Sequence, residues 1–135
     1  MDISEKIKTF ILNSAIQYSN FYKVETRGHI INSIWVNFQE KYEYNPPHMH
    51  SNCDLSFVIY IKIPYLLESE DKFPNTIDSK EHSNGRFSIL YSTKFNGLAC
   101  KDIDLDKSYE GKMLLFPANT MHCVDQLNTA WSKSG

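Results

Sequence analysis

The run of residues 54–63 constrains the fold more than any other part of the chain. It is rich in β-branched and aromatic side chains, which favour strands over helices. Both of its alternating faces are apolar, and this pattern predicts a strand in the centre of a sheet. Pro64 ends the run, because proline lacks the backbone N–H that the hydrogen-bond ladder of a sheet needs.

Other segments of the chain predict further strands around this one. Residues 4–19 instead predict a helix, because Ser4 is a suitable N-cap and apolar residues follow it at helical spacing. Residues 65–84 are acidic and polar, which predicts a long surface loop. The short strands, one flanking helix and absence of strand–helix alternation predict a mainly β fold, an antiparallel sandwich or jelly roll. The further strand segments are residues 30–38, 86–92, 98–100 and 113–116.

Composition limits the classes of protein that this chain can represent. Its 135 residues are the size of one domain, so we expect a single domain over residues 1–135. A net charge of −2 argues against nucleic-acid binding, which usually requires a basic excess. No apolar run approaches the ~20 residues that span a membrane, and the N-terminus lacks the pattern of a signal peptide. Three cysteines, an odd number in no metal-binding spacing, are typical of reduced thiols in a cytoplasmic protein.

A pair of histidines stands just before the apolar run. His48 and His50 are two residues apart, so in an extended chain their side chains point to the same face. Pro46 and Pro47 hold the entry to this pair extended. Two imidazoles that converge from one strand make up two-thirds of an open metal site, which needs one more protein ligand.

The order of five short motifs carries a resemblance to a known family. In this order the motifs resemble those of the iron(II)/2-oxoglutarate oxygenases, in particular the small members carried by tailed bacteriophages. The resemblance covers residues 35–64 and 110–124, and it depends on the set of motifs because no single one is specific. The motifs are WVN (35–37), PPHMH (46–50), LSFVIY (55–60), GKMLLFP (111–117) and HCV (122–124).

The resemblance implies a double-stranded β-helix, the cupin-like jelly roll, with an N-terminal flanking helix and a three-ligand iron(II) site. Such a site leaves open positions for the 2-oxo acid and dioxygen. By the resemblance, His48 and His122 are ligands and His50 is the third. Most of the superfamily has aspartate in place of His50, and Asp54 is a competing third ligand here. If Asp54 does not bind the metal, it can orient an imidazole N–H.

The resemblance also implies a 2-oxoglutarate site and an activity. Tyr60 matches a position whose phenol hydrogen-bonds the carboxylate of this small-molecule cosubstrate, and Lys62 is predicted to lie on the same face. The implied activity is an iron(II)- and 2-oxoglutarate-dependent dioxygenase in the cytoplasm, the host cytoplasm for a phage protein. Neither the substrate nor the oligomeric state can be inferred from these residues.

The C-terminal end of the chain departs from the family pattern. The family places an arginine on its last strand, where it pairs bidentately with the distal carboxylate of 2-oxoglutarate. Here that position falls on Ala130 or Trp131. Lys133 or Lys62 can supply a point charge instead, whereas Arg86 fits a solvated strand position better. The alternative function is therefore a cupin-like metal-binding module or a non-catalytic β-sandwich.

Several other histidine, cysteine and aromatic residues are predicted to have structural roles and no role in the site. Thiolates beside the histidines favour zinc, but in an extended chain each neighbouring cysteine points away from its histidine. The residues predicted to have packing or other structural roles are His29, Trp35, Cys53, His82, Phe116 and Cys123.

Overall fold

The computed structural model describes residues 2–74 and 78–128. It divides into two compact units, Met1–Asn37 and Phe38–Gly135. We describe each unit by itself, and the single domain over residues 1–135 stays a prediction.

The first unit is built on the helix α1, Glu5–Phe21. Its N-cap is Ser4, whose Oγ accepts a hydrogen bond from the backbone N–H of Ile7 at 3.4 Å, as the sequence predicts. Ser19, near the end of the helix, is buried and its hydroxyl is hydrogen-bonded to Nε2 of His29 at 2.9 Å. This contact agrees with the structural role predicted for His29. No helix in the described residues has the length and apolarity to cross a membrane.

The prediction of a strand over residues 30–38 is wrong. These residues have no regular secondary structure, and the side chain of Trp35 is 59% exposed instead of lying in the core. Val36 and Phe38 are exposed as well. A segment of high β propensity forms a strand only where a partner strand and a packing surface are available, and among the described residues no strand pairs with this segment.

The second unit contains two antiparallel sheets, which confirms the mainly β class. A four-stranded sheet has the spatial order β1-β6-β3-β4, and a two-stranded sheet pairs β2 with β5. The predicted strands at 86–92 and 113–116 are both present, and the strand that begins at residue 98 extends beyond its predicted end. The strands are β1 (Asn45–His48), β2 (Leu55–Ile59), β3 (Arg86–Ser92), β4 (Leu98–Asp104), β5 (Met113–Pro117) and β6 (Met121–Val124).

The strand β2 lies inside the apolar run that dominates the sequence, but it is shorter than predicted. Among the described residues β2 pairs with β5 alone, so they do not show the predicted central position. Ser56 lies opposite Phe116 and Val58 opposite Leu114, and each opposing pair shares one face of the sheet. This face packs on the core.

The core of the second unit lies between the two sheets. Phe87 of β3 and Phe116 of β5 are both buried, and their ring centroids are 5.4 Å apart. Phe116 is thus a core residue, as predicted. Aromatic contact of this kind adds to the burial of apolar area that holds two sheets together. The buried members of the cluster are Ile63, Tyr65, Phe87, Leu105, Phe116 and Leu127.

The segment predicted as a long acidic loop contains a short helix, α2 (Leu67–Asp71), and one of its acids is buried. Glu70 is 0% exposed, and its Oε2 accepts a hydrogen bond from the backbone N–H of Asn128 at 2.8 Å. Arg86 at the start of β3 is ion-paired with Asp71 of α2 at 2.6 Å and with Asp104 of β4 at 2.8 Å. The solvated position predicted for Arg86 is therefore wrong, because two carboxylates hold its guanidinium.

Candidate metal centre

Two histidines face each other across neighbouring strands. His48 is the last residue of β1 and pairs with His122 of β6, so both imidazoles lie on one face of the four-stranded sheet. Their ring centroids are 4.2 Å apart. The consecutive prolines at 46 and 47 keep β1 extended and fix this pairing at its end.

The third imidazole, His50, lies just beyond β1. Its ring centroid is 5.2 Å from that of His48 and 5.2 Å from that of His122. The candidate ligand nitrogens, one from each ring, all lie within 4.8 Å of one another. Three nitrogens bound at about 2.1 Å on one face of an ion are about 3 Å apart, so modest ring rotations convert this geometry into a coordinated one. The structure therefore brings together three residues that could bind a metal.

Hydrogen bonds orient two of the three rings. Nδ1 of His48 is 2.7 Å from the carbonyl oxygen of Pro46, and Nδ1 of His122 is 2.8 Å from that of Thr120. A carbonyl oxygen only accepts, so each Nδ1 carries the proton and donates it. The lone pair then lies on Nε2, which is the tautomer that a metal ligand of this orientation needs.

Burial also favours the neutral, metal-binding form of two imidazoles. Burial lowers the pKa of His122, and the neighbouring imidazoles of His48 and His50 lower it further, against the opposing effect of its backbone hydrogen bond. Burial, followed by the charge of His48, lowers the pKa of His50 as well. Because a metal binds the deprotonated ring, these shifts prepare the site for metal at neutral pH.

A short loop fixes the position of His50. The backbone N–H of His50 donates to the carbonyl of Ala118 at 2.9 Å, and the N–H of Ala118 donates to the carbonyl of Asp54 at 2.9 Å. The Asp54 side chain is exposed and is outside the group whose ligand atoms converge. Cys53 is exposed as well, contrary to the packing role predicted for it, whereas Cys123 is buried as expected.

Two aromatic rings support His122 from the core. Phe87 stacks on its imidazole with 5.3 Å between centroids and 19° between planes, and Phe116 contacts it edge-on at 4.9 Å. His122 is only 3% exposed as a result. Phe87 is a residue of the site that we did not single out from sequence. The alternation of side chains along β3 predicts which face of the strand Phe87 lies on, but it does not predict which histidine Phe87 contacts.

Tyr60 and Lys62 of the predicted cosubstrate site occupy different surroundings. The Tyr60 hydroxyl is buried and has no hydrogen-bond partner among the described residues, and Tyr60 packs against the core cluster. Burial, with smaller contributions from Tyr65 and Tyr109, raises its pKa, so the phenol stays protonated and able to donate. Lys62 is exposed. Lys133, Ala130 and Trp131 lie outside the described residues.

Comparison with known proteins identifies the family. Residues 33–133 match the family model described as "Putative 2OG-Fe(II) oxygenase". This match covers more than half of the chain and includes all three converging histidines, so the chain belongs to that family. No curated protein and no solved structure matches the chain.

Proposed function

We propose that this protein is an iron(II)- and 2-oxoglutarate-dependent dioxygenase, and that its second unit is the double-stranded β-helix of that family. The observation that carries the proposal is the convergence of the three imidazoles within 4.8 Å. The family match supplies the nature of the metal and of the cosubstrate. The two sheets that enclose one aromatic core support the fold.

His48, His50 and His122 would hold iron(II), and their arrangement suits the metal. Imidazole is a good ligand for iron, and three protein ligands leave further positions open. Bound iron with 2-oxoglutarate supplies the means to activate dioxygen for oxidation of a substrate C–H bond. The protein's own part is to fix the rings of His48 and His122 through their Nδ1 hydrogen bonds and to exclude water from the core side of His122.

Tyr60 is the residue that we propose for the cosubstrate. Its hydroxyl is a buried donor without an acceptor, and a carboxylate oxygen would satisfy it. Tyr60 follows β2, in which Ser56 lies opposite Phe116, the ring that contacts His122. By strand alternation Ser56 and Tyr60 lie on the same side, so the phenol belongs to the face that borders the metal centre. Arg86 is held by Asp71 and Asp104 and does not serve as the carboxylate anchor.

Anaerobic titration of the protein with iron(II) and then 2-oxoglutarate tests this function. Chelation of iron by a 2-oxo acid produces a visible metal-to-ligand charge-transfer band, which neither component gives alone. We expect one equivalent of iron to bind and the band to saturate on addition of 2-oxoglutarate. Iron binding without the band would support the cupin-like alternative, and absence of iron binding would contradict both functions.

Matched variants connect the band to the proposed residues. His122→Gln should weaken iron binding ~100-fold or more, because one of three ligands is lost. His82→Gln is the control, since His82 lies outside the converging group and the same change should leave the band intact.

A further inference from the structure

The face of the four-stranded sheet that carries His122 continues sideways onto β3 and β4. Ile89 pairs with His122 on one side and with Lys101 on the other, so these three side chains lie in one row on one face. One step further along β3, Tyr91 pairs with Ala99 and shares this face. Tyr91 and Lys101 thus lie on the same face of the sheet as His122, one and two strands away from it.

Both residues are within reach of a molecule bound at the metal centre. Neighbouring strands are about 4.8 Å apart, so the Lys101 Cα lies about 10 Å from that of His122. Tyr91 is 50% exposed and Lys101 is exposed. Among the described residues Lys101 forms no ion pair. Its ammonium group is therefore available to a ligand.

Lys101 is the single formal charge that β3, β4 and β6 place on this face. The two acids of β4 lie on the opposite face, where Asp102 accepts a hydrogen bond from Ser88 at 2.6 Å and Asp104 pairs with Arg86 at 2.8 Å. The other residues of this face are uncharged apart from the histidine, and most are apolar. They are Phe87, Ile89, Tyr91, Ala99, Ile103, His122 and Val124.

Phe87, Ile103 and Val124 of this face pack on the core, so its open part is the end that carries Tyr91 and Lys101. Phe95, in the turn that joins β3 to β4, is 94% exposed. A nucleic acid would require a basic patch with several cations, and this face has one lysine in a chain of net charge −2.

We propose that Lys101 and Tyr91 form a substrate-binding face that takes an acidic peptide segment. A glutamate or aspartate side chain of the peptide pairs with Lys101, and an apolar side chain packs on the ring of Tyr91. Since β3 separates β4 from β6 and β1, residues of the peptide beyond the acidic one then extend across the sheet towards the metal centre. This inference rests on the proposed function, because it describes how the same centre receives its substrate.

Retention of peptide libraries on the immobilised protein tests the proposal. The protein is loaded anaerobically with iron(II) and 2-oxoglutarate, so that nothing turns over. It is then offered two libraries of short random peptides, one with a fixed central glutamate and one with a fixed central glutamine. We expect the glutamate library to be retained about threefold better, which is the size of an exposed ion pair. Added salt should reduce the difference.

Variants assign the preference to this face. Lys101→Gln should remove the preference for glutamate, and Lys101→Glu should reverse it. Tyr91→Ala should reduce retention of both libraries alike, because it removes an apolar contact and no charge. Lys107→Glu is the matched control, since Lys107 is an exposed lysine in the short helical turn that follows β4, and its change should leave the preference intact.

The outcomes distinguish a failure of the proposed substrate face from a failure of the proposed function. Equal retention of the two libraries, retention of neither, or a preference that survives Lys101→Glu would overturn the substrate face. The charge-transfer band is recorded on the same samples and does not depend on peptide. Its absence would overturn the proposed function, whereas its presence with no effect of Lys101 would overturn the substrate face alone.

Discussion

The ring of Phe87 stacks on the imidazole of His122, with 5.3 Å between their centroids and 19° between their planes. Phe87 is 1% exposed and belongs to the hydrophobic core, and Phe116 contacts both rings. One candidate ligand is thus part of the core that joins the two sheets. Stability and metal binding are therefore coupled in this protein.

Phe87→Ala should weaken both properties. Removal of a buried phenylalanine leaves a cavity, and we expect the free energy of unfolding to fall by about 3–5 kcal/mol. Metal affinity should fall as well, because His122 loses the ring that fixes it. Denaturant unfolding and metal titration measure the two effects. Tyr91→Ala on the same strand is the control and should cost about 1 kcal/mol at most. Unchanged metal affinity in a folded Phe87→Ala protein would contradict the coupling.

Substitution of single residues should decide the third ligand. We expect His50→Ala to reduce iron(II) affinity ~100-fold or more, since changes of residues outside the ligand set alone cost 10–100-fold. His48→Ala and His122→Ala should have effects of the same size. Asp54→Asn should change the affinity less than about tenfold, because its side chain is exposed outside the converging group. Calorimetric titration gives all four affinities, and a loss with Asp54→Asn as large as that with His50→Ala would favour the aspartate.

The ion pairs of Arg86 should contribute to the stability of the protein, and Arg86 should not contribute to the affinity for 2-oxoglutarate. It holds Asp71 by two hydrogen bonds of 2.6 and 3.2 Å, and the Asp71 side chain is 30% exposed. We expect Asp71→Asn to cost about 1–2 kcal/mol. Asp104→Asn should cost about 0.5 kcal/mol, because that carboxylate is 66% exposed. Arg86→Gln should leave the 2-oxoglutarate affinity of the folded protein unchanged. A fall in that affinity would show that Arg86 is the anchor.

The metal pair was readable from sequence because it depends on local geometry. Alternation within an extended segment places His48 and His50 on one side, and no distant residue is needed for that inference. The position of His122 beside them depends on the pairing of β1 with β6, which joins segments far apart in the chain. Spacing alone does not specify such a register. The motif order of the family supplied it instead.

The burial and pairing of acidic side chains in residues 65–84 could not be predicted from the sequence. The segment 65–84 is acidic, and acidic segments are usually solvated. Here Glu70 is fully buried and binds the backbone of Asn128, and Asp71 pairs with Arg86. These partners come from other segments, so composition predicts a loop where the chain forms a docked helix.

Metal affinity should depend on pH below the ordinary pKa of histidine. The pKa values of His50 and His122 are lowered from the ordinary value of 6.5 in the folded protein, mainly by burial, so metal affinity should fall below that pH as protons displace the metal from these two imidazoles. The metal-free protein should also lose stability as the pH falls from 6.5 towards the folded pKa values, because the unfolded state binds more protons there. Unfolding curves at several pH values measure this slope. His122→Asn should reduce it, and an unchanged slope would contradict the assignment.

Tyr60 and Tyr65 offer the sharpest test of the cosubstrate site, because their hydroxyls differ in one respect. Tyr65 donates to the carbonyl of Gly85 at 3.1 Å, whereas the buried hydroxyl of Tyr60 has no partner in the part of the chain that the structure describes. Tyr65→Phe should therefore lower the free energy of unfolding by about 1 kcal/mol and leave 2-oxoglutarate affinity unchanged.

Tyr60→Phe should leave stability unchanged or raise it by up to about 1 kcal/mol, since it removes an unsatisfied polar group. It should also weaken 2-oxoglutarate binding about tenfold, the value of a hydrogen bond to a charged group, with iron affinity intact. Thermal unfolding and anaerobic titration of the charge-transfer band give both quantities. If Tyr60→Phe instead destabilises the protein and leaves 2-oxoglutarate affinity unchanged, Tyr60 is a packing residue and the cosubstrate is held elsewhere.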